Sequence, residues 1–132
     1  MVRSFGAVLA AVSVLIGPAR AGEVGTQALS AAALDQSGAL VVDIRESSEW
    51  RDTGVVPGAL RVTYRTPEQF LAEIAPSLAE GQTIALICRS GRRSAAAAAA
   101  LAPMTDHPII DVAGGVSRLF QEGVTPQPCP DC

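Results

Sequence analysis

The stretch Thr83-Ile84-Ala85-Leu86-Ile87-Cys88-Arg89-Ser90-Gly91-Arg92-Arg93-Ser94 decides how this chain is read. Its first part is a short apolar run of the kind that forms a buried strand. After Ser94 come six consecutive alanines, Ala95 to Ala100, a composition that favours helix. A strand that passes into a helix through so short a loop puts Cys88 at the strand's carboxyl end, with the loop wrapping back to a helix N-terminus. Free N–H groups in such a loop, the positive end of the helix dipole and the three arginines all favour a thiolate over a thiol. An inert buried cysteine keeps apolar neighbours. Here the neighbours are arginine, glycine and serine, an arrangement suited to a nucleophilic sulfur that handles a small anion.

Outward from that stretch, strand and helix patterns alternate. Upstream, a possible edge strand lies around Val24 and a short helix is predicted over 28–34. Ala39 to Ile44 reads as a buried strand, 46–52 as a helical turn with Ser47 and Ser48 near its start, and Ala59 to Val62 as a second short strand. Thr66-Pro67-Glu68-Gln69 is a helix start, with Thr as cap, Pro at the first position and Gln at the third. Phe70, Leu71 and Ile74 then fall at helical spacing. Downstream, the alanine helix ends near Ala102-Pro103, Pro108 to Val112 reads as a strand, and 117–122 as a last helix. The alternation predicts an α/β fold with a mainly parallel central sheet and helices on both faces. In such sheets the functional site lies at the carboxyl ends of the strands, which is where Cys88 and Asp43 fall.

Four ordered motifs carry a family resemblance. They are Cys88-Arg89-Ser90-Gly91-Arg92-Arg93-Ser94; Asp43-Ile44-Arg45-Glu46 with Glu49-Trp50; Gly54-Val55-Val56-Pro57-Gly58-Ala59; and Gly114-Gly115 with Gly123. In this order they resemble the rhodanese family of sulfurtransferases, from about Val24 to Pro126. The resemblance implies a single rhodanese-like domain in which Cys88 carries sulfane sulfur as a persulfide. The backbone of Arg89, Ser90, Gly91, Arg92, Arg93 and Ser94 would cradle that sulfur, and Asp43 and Arg45 would organise the loops around it. A small anionic donor, thiosulfate above all, would supply the sulfur. A thiophilic acceptor such as cyanide or a thiol would take it, with a protein thiol as a possible partner. Val55 stands where the family usually has histidine, and Leu119 where it often has tryptophan.

The first residues read as a secretory signal. Met1-Val2-Arg3 opens with a positive charge, Phe5 to Ile16 is apolar or small apart from Ser13, and Ala19-Arg20-Ala21 gives a small-x-small cleavage pattern. The apolar run is short of the roughly 20 residues a membrane span needs. Cleavage after Ala21 leaves 111 of 132 residues, one ordinary domain over 22–126 with a tail over 127–132. Export implies a periplasmic or secreted protein in an oxidising compartment. Without Arg3 and Arg20 the chain has eight arginines, no lysine and thirteen acidic residues, a balance of −5. That excludes nucleic acid as an expected partner, and no membrane contact is expected after cleavage.

The proline-rich tail holds Cys129 and Cys132, spaced for a local disulfide or for thiols that resolve a Cys88 persulfide. Metal binding there would need two further ligands, and no second Cys/His pair is present, so neither a metal nor a cofactor is expected. Cysteine phosphatases place an arginine six residues after the nucleophile, where this chain has Ser94; its arginine arrives one residue earlier, at Arg93. A phosphatase or arsenate reductase is accordingly the weaker enzymatic reading. The non-enzymatic alternative is a sulfur-relay or binding module with little turnover alone.

Overall fold

The computed structural model describes residues 22–132; the expected signal segment, 1–21, lies outside the described residues. Five strands, β1 (Val24–Gln27), β2 (Leu40–Asp43), β3 (Leu60–Arg61), β4 (Ile84–Ile87) and β5 (Ile109–Val112), form one sheet in the order β1-β5-β4-β2-β3. Every pairing is parallel. The central strand β4 is buried along its whole length, as expected of a strand covered on both faces. Helices α1 (Ala31–Ser37), α2 (Ser47–Thr53), α3 (Pro67–Ile74), α4 (Arg92–Leu101) and α5 (Gly115–Gln121) connect and follow the strands.

Two apolar layers sandwich the sheet. On one face Phe70 and Ile74 of α3 and Ala97, Ala98 and Leu101 of α4 pack against Val42, Ile84, Leu86 and Ile109. On the other, Leu34 of α1 and Val116 and Leu119 of α5 pack against Ala85, Ile87 and Val112. The chain leaves β2 for β3 in one direction across the sheet and leaves β4 for β5 in the other. The sheet order therefore reverses between β2 and β4. Their carboxyl ends, Asp43 and Ile87 in register, bound the crevice where parallel sheets bind ligands.

Caps rather than composition set the helix positions. The helix predicted over 28–34 lies three residues later, because Ser30 Oγ accepts the Ala33 amide at 3.1 Å and Gly38, at φ 69°, ends it. The turn expected over 46–52 begins with Glu46 as cap, whose amide donates to Glu49 at 3.0 Å. Thr66 caps α3 as expected, accepting from the Gln69 amide at 3.2 Å. The last helix starts at Gly115, not Ser117, since the glycine pair forms its first turn. The tail is partly ordered: Val55 and Gln127 exchange backbone hydrogen bonds of 2.9 and 2.8 Å in an antiparallel bridge.

Candidate active site

Cys88 follows β4 directly and is 1 % exposed. The loop bends back so that its Sγ accepts from the amides of Gly91 at 3.1 Å and Ser94 at 3.4 Å, with Ser94 Oγ also at 3.4 Å. Gly91 makes that bend as the N-cap of α4, at φ 99°. Burial pushes the thiol up; the Ser94 hydroxyl and the amides of Ser94, Gly91 and Ser90 together outweigh it and hold the thiol below its ordinary value. The sulfur is an anion site made of neutral donors.

The other side of the loop is pinned by α5. The amides of Val116 and Ser117 donate to the carbonyls of Cys88 at 2.8 Å and Arg89 at 3.1 Å. Gly115 makes this approach feasible, because a Cβ on it would lie 2.2 Å from the Cys88 carbonyl oxygen. The glycine pair is legible in the sequence as a motif; its role as the seat of the cysteine loop appears only in the fold.

The three loop arginines separate. Arg93 donates to both carboxylate oxygens of Glu49, at 2.8 and 2.6 Å. Its guanidinium holds the Glu49 carboxyl down at about 2, despite partial burial. Arg89 lines a cavity of about 340 Å³ with Arg45, Glu49, Ser117 and Phe120. Arg92 is exposed at the first position of α4, and Ser90 is exposed in the loop.

Asp43 and Arg45 form a bidentate pair, 0 % and 1 % exposed, with Nε to Oδ1 at 3.0 Å and Nη2 to Oδ2 at 2.9 Å. Arg45 also reaches Thr53 Oγ1 and the Gly54 carbonyl, both at 2.8 Å. The pair ties the end of β2 to the end of α2 and so braces one wall of the crevice. Cys129 and Cys132 are joined in a disulfide, and Cys88 is the free cysteine. Arg61 contacts both tail sulfurs and lies 5.9 Å over the Trp50 ring. Arg51 donates to the Cys132 carbonyl at 2.7 Å. The tail thus packs along β3 and α2.

Two residues to which the sequence gives no role at the site belong to it. Glu49 was visible only beside Trp50; its partnership with Arg93 spans 44 positions. Asp111 accepts from Ser94 Oγ at 2.5 Å. The signal was an acid inside the apolar strand Ile109-Ile110-Asp111-Val112.

The Rhodanese-like domain model matches residues 26–122, and the chain belongs to that family, a sulfurtransferase-related one. A rhodanese-related protein from Thermoplasma volcanium is similar at 29 % identity and TM-score 0.57, over 75 % of this chain and 95 % of that one. A protein of unknown function from Rhodopseudomonas palustris, described as a possible tyrosine phosphatase, is similar at 26 % identity and TM-score 0.62, over 80 % and 84 %. A rhodanese-like domain protein from Staphylococcus aureus, at 19 % identity and TM-score 0.56 over 80 % and 98 %, shares the fold. No curated protein matches.

Proposed function

We propose that the protein is a thiosulfate-type sulfurtransferase with Cys88 as its sulfur carrier. The observation that carries this reading is the cage around Sγ at the carboxyl end of the central strand, with the Gly91 and Ser94 amides donating to it and the Ser94 hydroxyl 3.4 Å away. The Cys88 thiolate attacks the outer sulfur of thiosulfate, the sulfur–sulfur bond breaks, and sulfite leaves with the bonding pair. The product is a Cys88 persulfide, whose terminal negative charge the same donors stabilise. Cyanide or an acceptor thiolate then attacks the terminal sulfur and releases the Cys88 thiolate. Exposed Arg89 and Arg92 attract the dianionic donor. No redox co-reactant enters either step.

The test is the intact mass of the purified protein after incubation with thiosulfate, alongside Cys88→Ser. A gain of one sulfur atom that needs Cys88 and is removed by cyanide supports the reading. No gain in the reduced wild type overturns it and favours a relay module fed by another donor. Because one relative is described as a possible phosphatase, a chromogenic phosphate ester is run in parallel; turnover of the ester with no sulfur gain assigns the loop to phosphoryl chemistry instead. Residues 1–21 complete the proposal as an export signal, and N-terminal sequencing of protein from a periplasmic extract should begin at Gly22.

A further inference from the structure

Asp111 is 2 % exposed, yet it forms no salt bridge among the described residues. The other fully buried acid, Asp43, has Arg45. Asp111 meets two hydroxyls instead: Ser94 Oγ at Oδ1, 2.5 Å, and Thr26 Oγ1 at Oδ2, 3.3 Å. A buried carboxylate without a cation depends on such hydrogen bonds for its compensation.

Counting hydrogens at Ser94 explains the arrangement. Its single hydroxyl hydrogen faces three acceptors: Asp111 Oδ1 at 2.5 Å, the Gly91 carbonyl at 3.1 Å and Cys88 Sγ at 3.4 Å. Two oxygens at the first distance need a hydrogen between them. With Asp111 ionised, Ser94 donates to it and presents a lone pair to the Cys88 S–H. With Asp111 protonated, the acid donates to Ser94, whose hydrogen is then free to point at the thiolate.

We propose that Asp111, acting through Ser94, holds the proton that leaves Cys88 when the nucleophile is formed. The S–H bond breaks as Ser94 Oγ takes that proton, and the former Ser94 O–H breaks as Asp111 Oδ1 takes the second. One negative charge moves from carboxylate to sulfur, with no proton released to water. Asp111 is in this sense a positioning residue. The inference rests on reading Cys88 as the nucleophile, but not on which substrate it attacks.

Other charges near the relay are few. Strand β1 brings Thr26 and no titratable group, and β4 brings none before Cys88. Helix α4 brings Arg93, whose charge interacts with Cys88 and Asp43 and is shared with Glu49. Asp43 is held by Arg45.

A proton shared by two sites leaves a recognisable titration: thiolate appears in two steps, a partial one when the pair loses its first proton and a complete one when it loses its second. The experiment follows thiolate absorbance and the iodoacetamide alkylation rate of the purified protein across pH, with Cys88→Ser as blank. The wild type is expected to rise in two steps and Asp111→Asn, which keeps the shape, in one. Ser94→Ala is expected to collapse the profile to one step and to slow alkylation near neutral pH about tenfold, the loss of one charge-assisted hydrogen bond. Its reading stands independently if Asp111→Asn does not fold. A single step in the wild type, or two unchanged steps in either folded variant, overturns the relay. Two steps in a protein that never gains sulfur from thiosulfate would leave the relay standing and sink the sulfurtransferase reading; sulfur gain with a single step does the reverse.

Discussion

Gly115→Ala is the substitution whose cost the fold makes most explicit. The residue sits at φ +56°, and an added Cβ would lie 2.2 Å from the Cys88 carbonyl oxygen and 2.7 Å from both the carbon and the oxygen of the Arg89 carbonyl. All three atoms are backbone, so no rotamer change relieves the overlap. Reaching an ordinary contact of 3.4 Å requires α5 and the loop to part by about 1 Å. That displacement strains or breaks the hydrogen bonds from the Val116 and Ser117 amides. The left-handed backbone costs about 1.5 kcal/mol, two weakened hydrogen bonds about 2 kcal/mol, and residual overlap about 1 kcal/mol. Together these come to roughly 4.5 kcal/mol, a large share of the roughly 5–15 kcal/mol that holds a domain together.

Gly38→Ala is the matched control, at φ +69° with nothing within 4 Å of the added Cβ. It measures left-handed strain alone. Urea unfolding of the two variants should therefore differ by about 3 kcal/mol, with Gly115→Ala the weaker. The folded fraction of Gly115→Ala should also alkylate Cys88 more slowly, because the carbonyls that seat the loop have moved. Stabilities within about 1 kcal/mol of each other would refute the claim that this glycine is the seat of the cysteine loop.

Glu49→Gln should lower stability near neutral pH and flatten its acid dependence. The Glu49 carboxyl is held at about 2 against an ordinary 4.5, so its contribution is complete above 4.5 and lost as pH falls toward 2. With Arg93 45 % exposed, the pair is worth only about 1 kcal/mol, to be read from urea midpoints at pH 7 and pH 3. Arg45→Met strands Asp43 as a buried charge and should cost about 3–5 kcal/mol; adding Asp43→Asn should recover part of it in a double-mutant cycle. Replacing Cys129 and Cys132 together by serine opens a four-residue loop and should cost at most about 2 kcal/mol. The alkylation rate of Cys88 should not change, and a change would tie the tail to the nucleophile.

The fold class was legible because its signals are local and redundant. An apolar run ending in a cysteine, then a glycine, then alanines, can only turn once and continue as helix. Thr66-Pro67 marks its helix start within four residues. Ala28 to Leu34 misled because alanine raises helix content without marking an end; Ser30 and Gly38 supply the ends. What stayed illegible is what the sheet brings together. Ser94 and Asp111 are 17 positions apart, and Arg93 and Glu49 are 44. Nothing in either local segment states that β5 lies beside β4, or that α2 faces the start of α4. Residue type narrows the candidates, but partnership follows from strand order.

The loop arginines show why that distinction matters for chemistry. Read along the chain, Arg89, Arg92 and Arg93 look like three equal cations arrayed around a thiolate. In the fold, Arg93 is bound to a carboxylate, and the donors that stabilise the sulfur are the Ser94 hydroxyl and three amides. Neutral donors suit a carrier better than a fixed cation does. A guanidinium against the sulfur would hold a persulfide anion tightly and oppose its transfer, whereas amides stabilise thiolate and persulfide alike by the same geometry. On the proposed reading, exposed Arg89 and Arg92 attract the anion without binding the product sulfur. Three cations in the sequence thus divide into one held by a carboxylate, one lining the cavity beside the loop and one exposed at the start of α4.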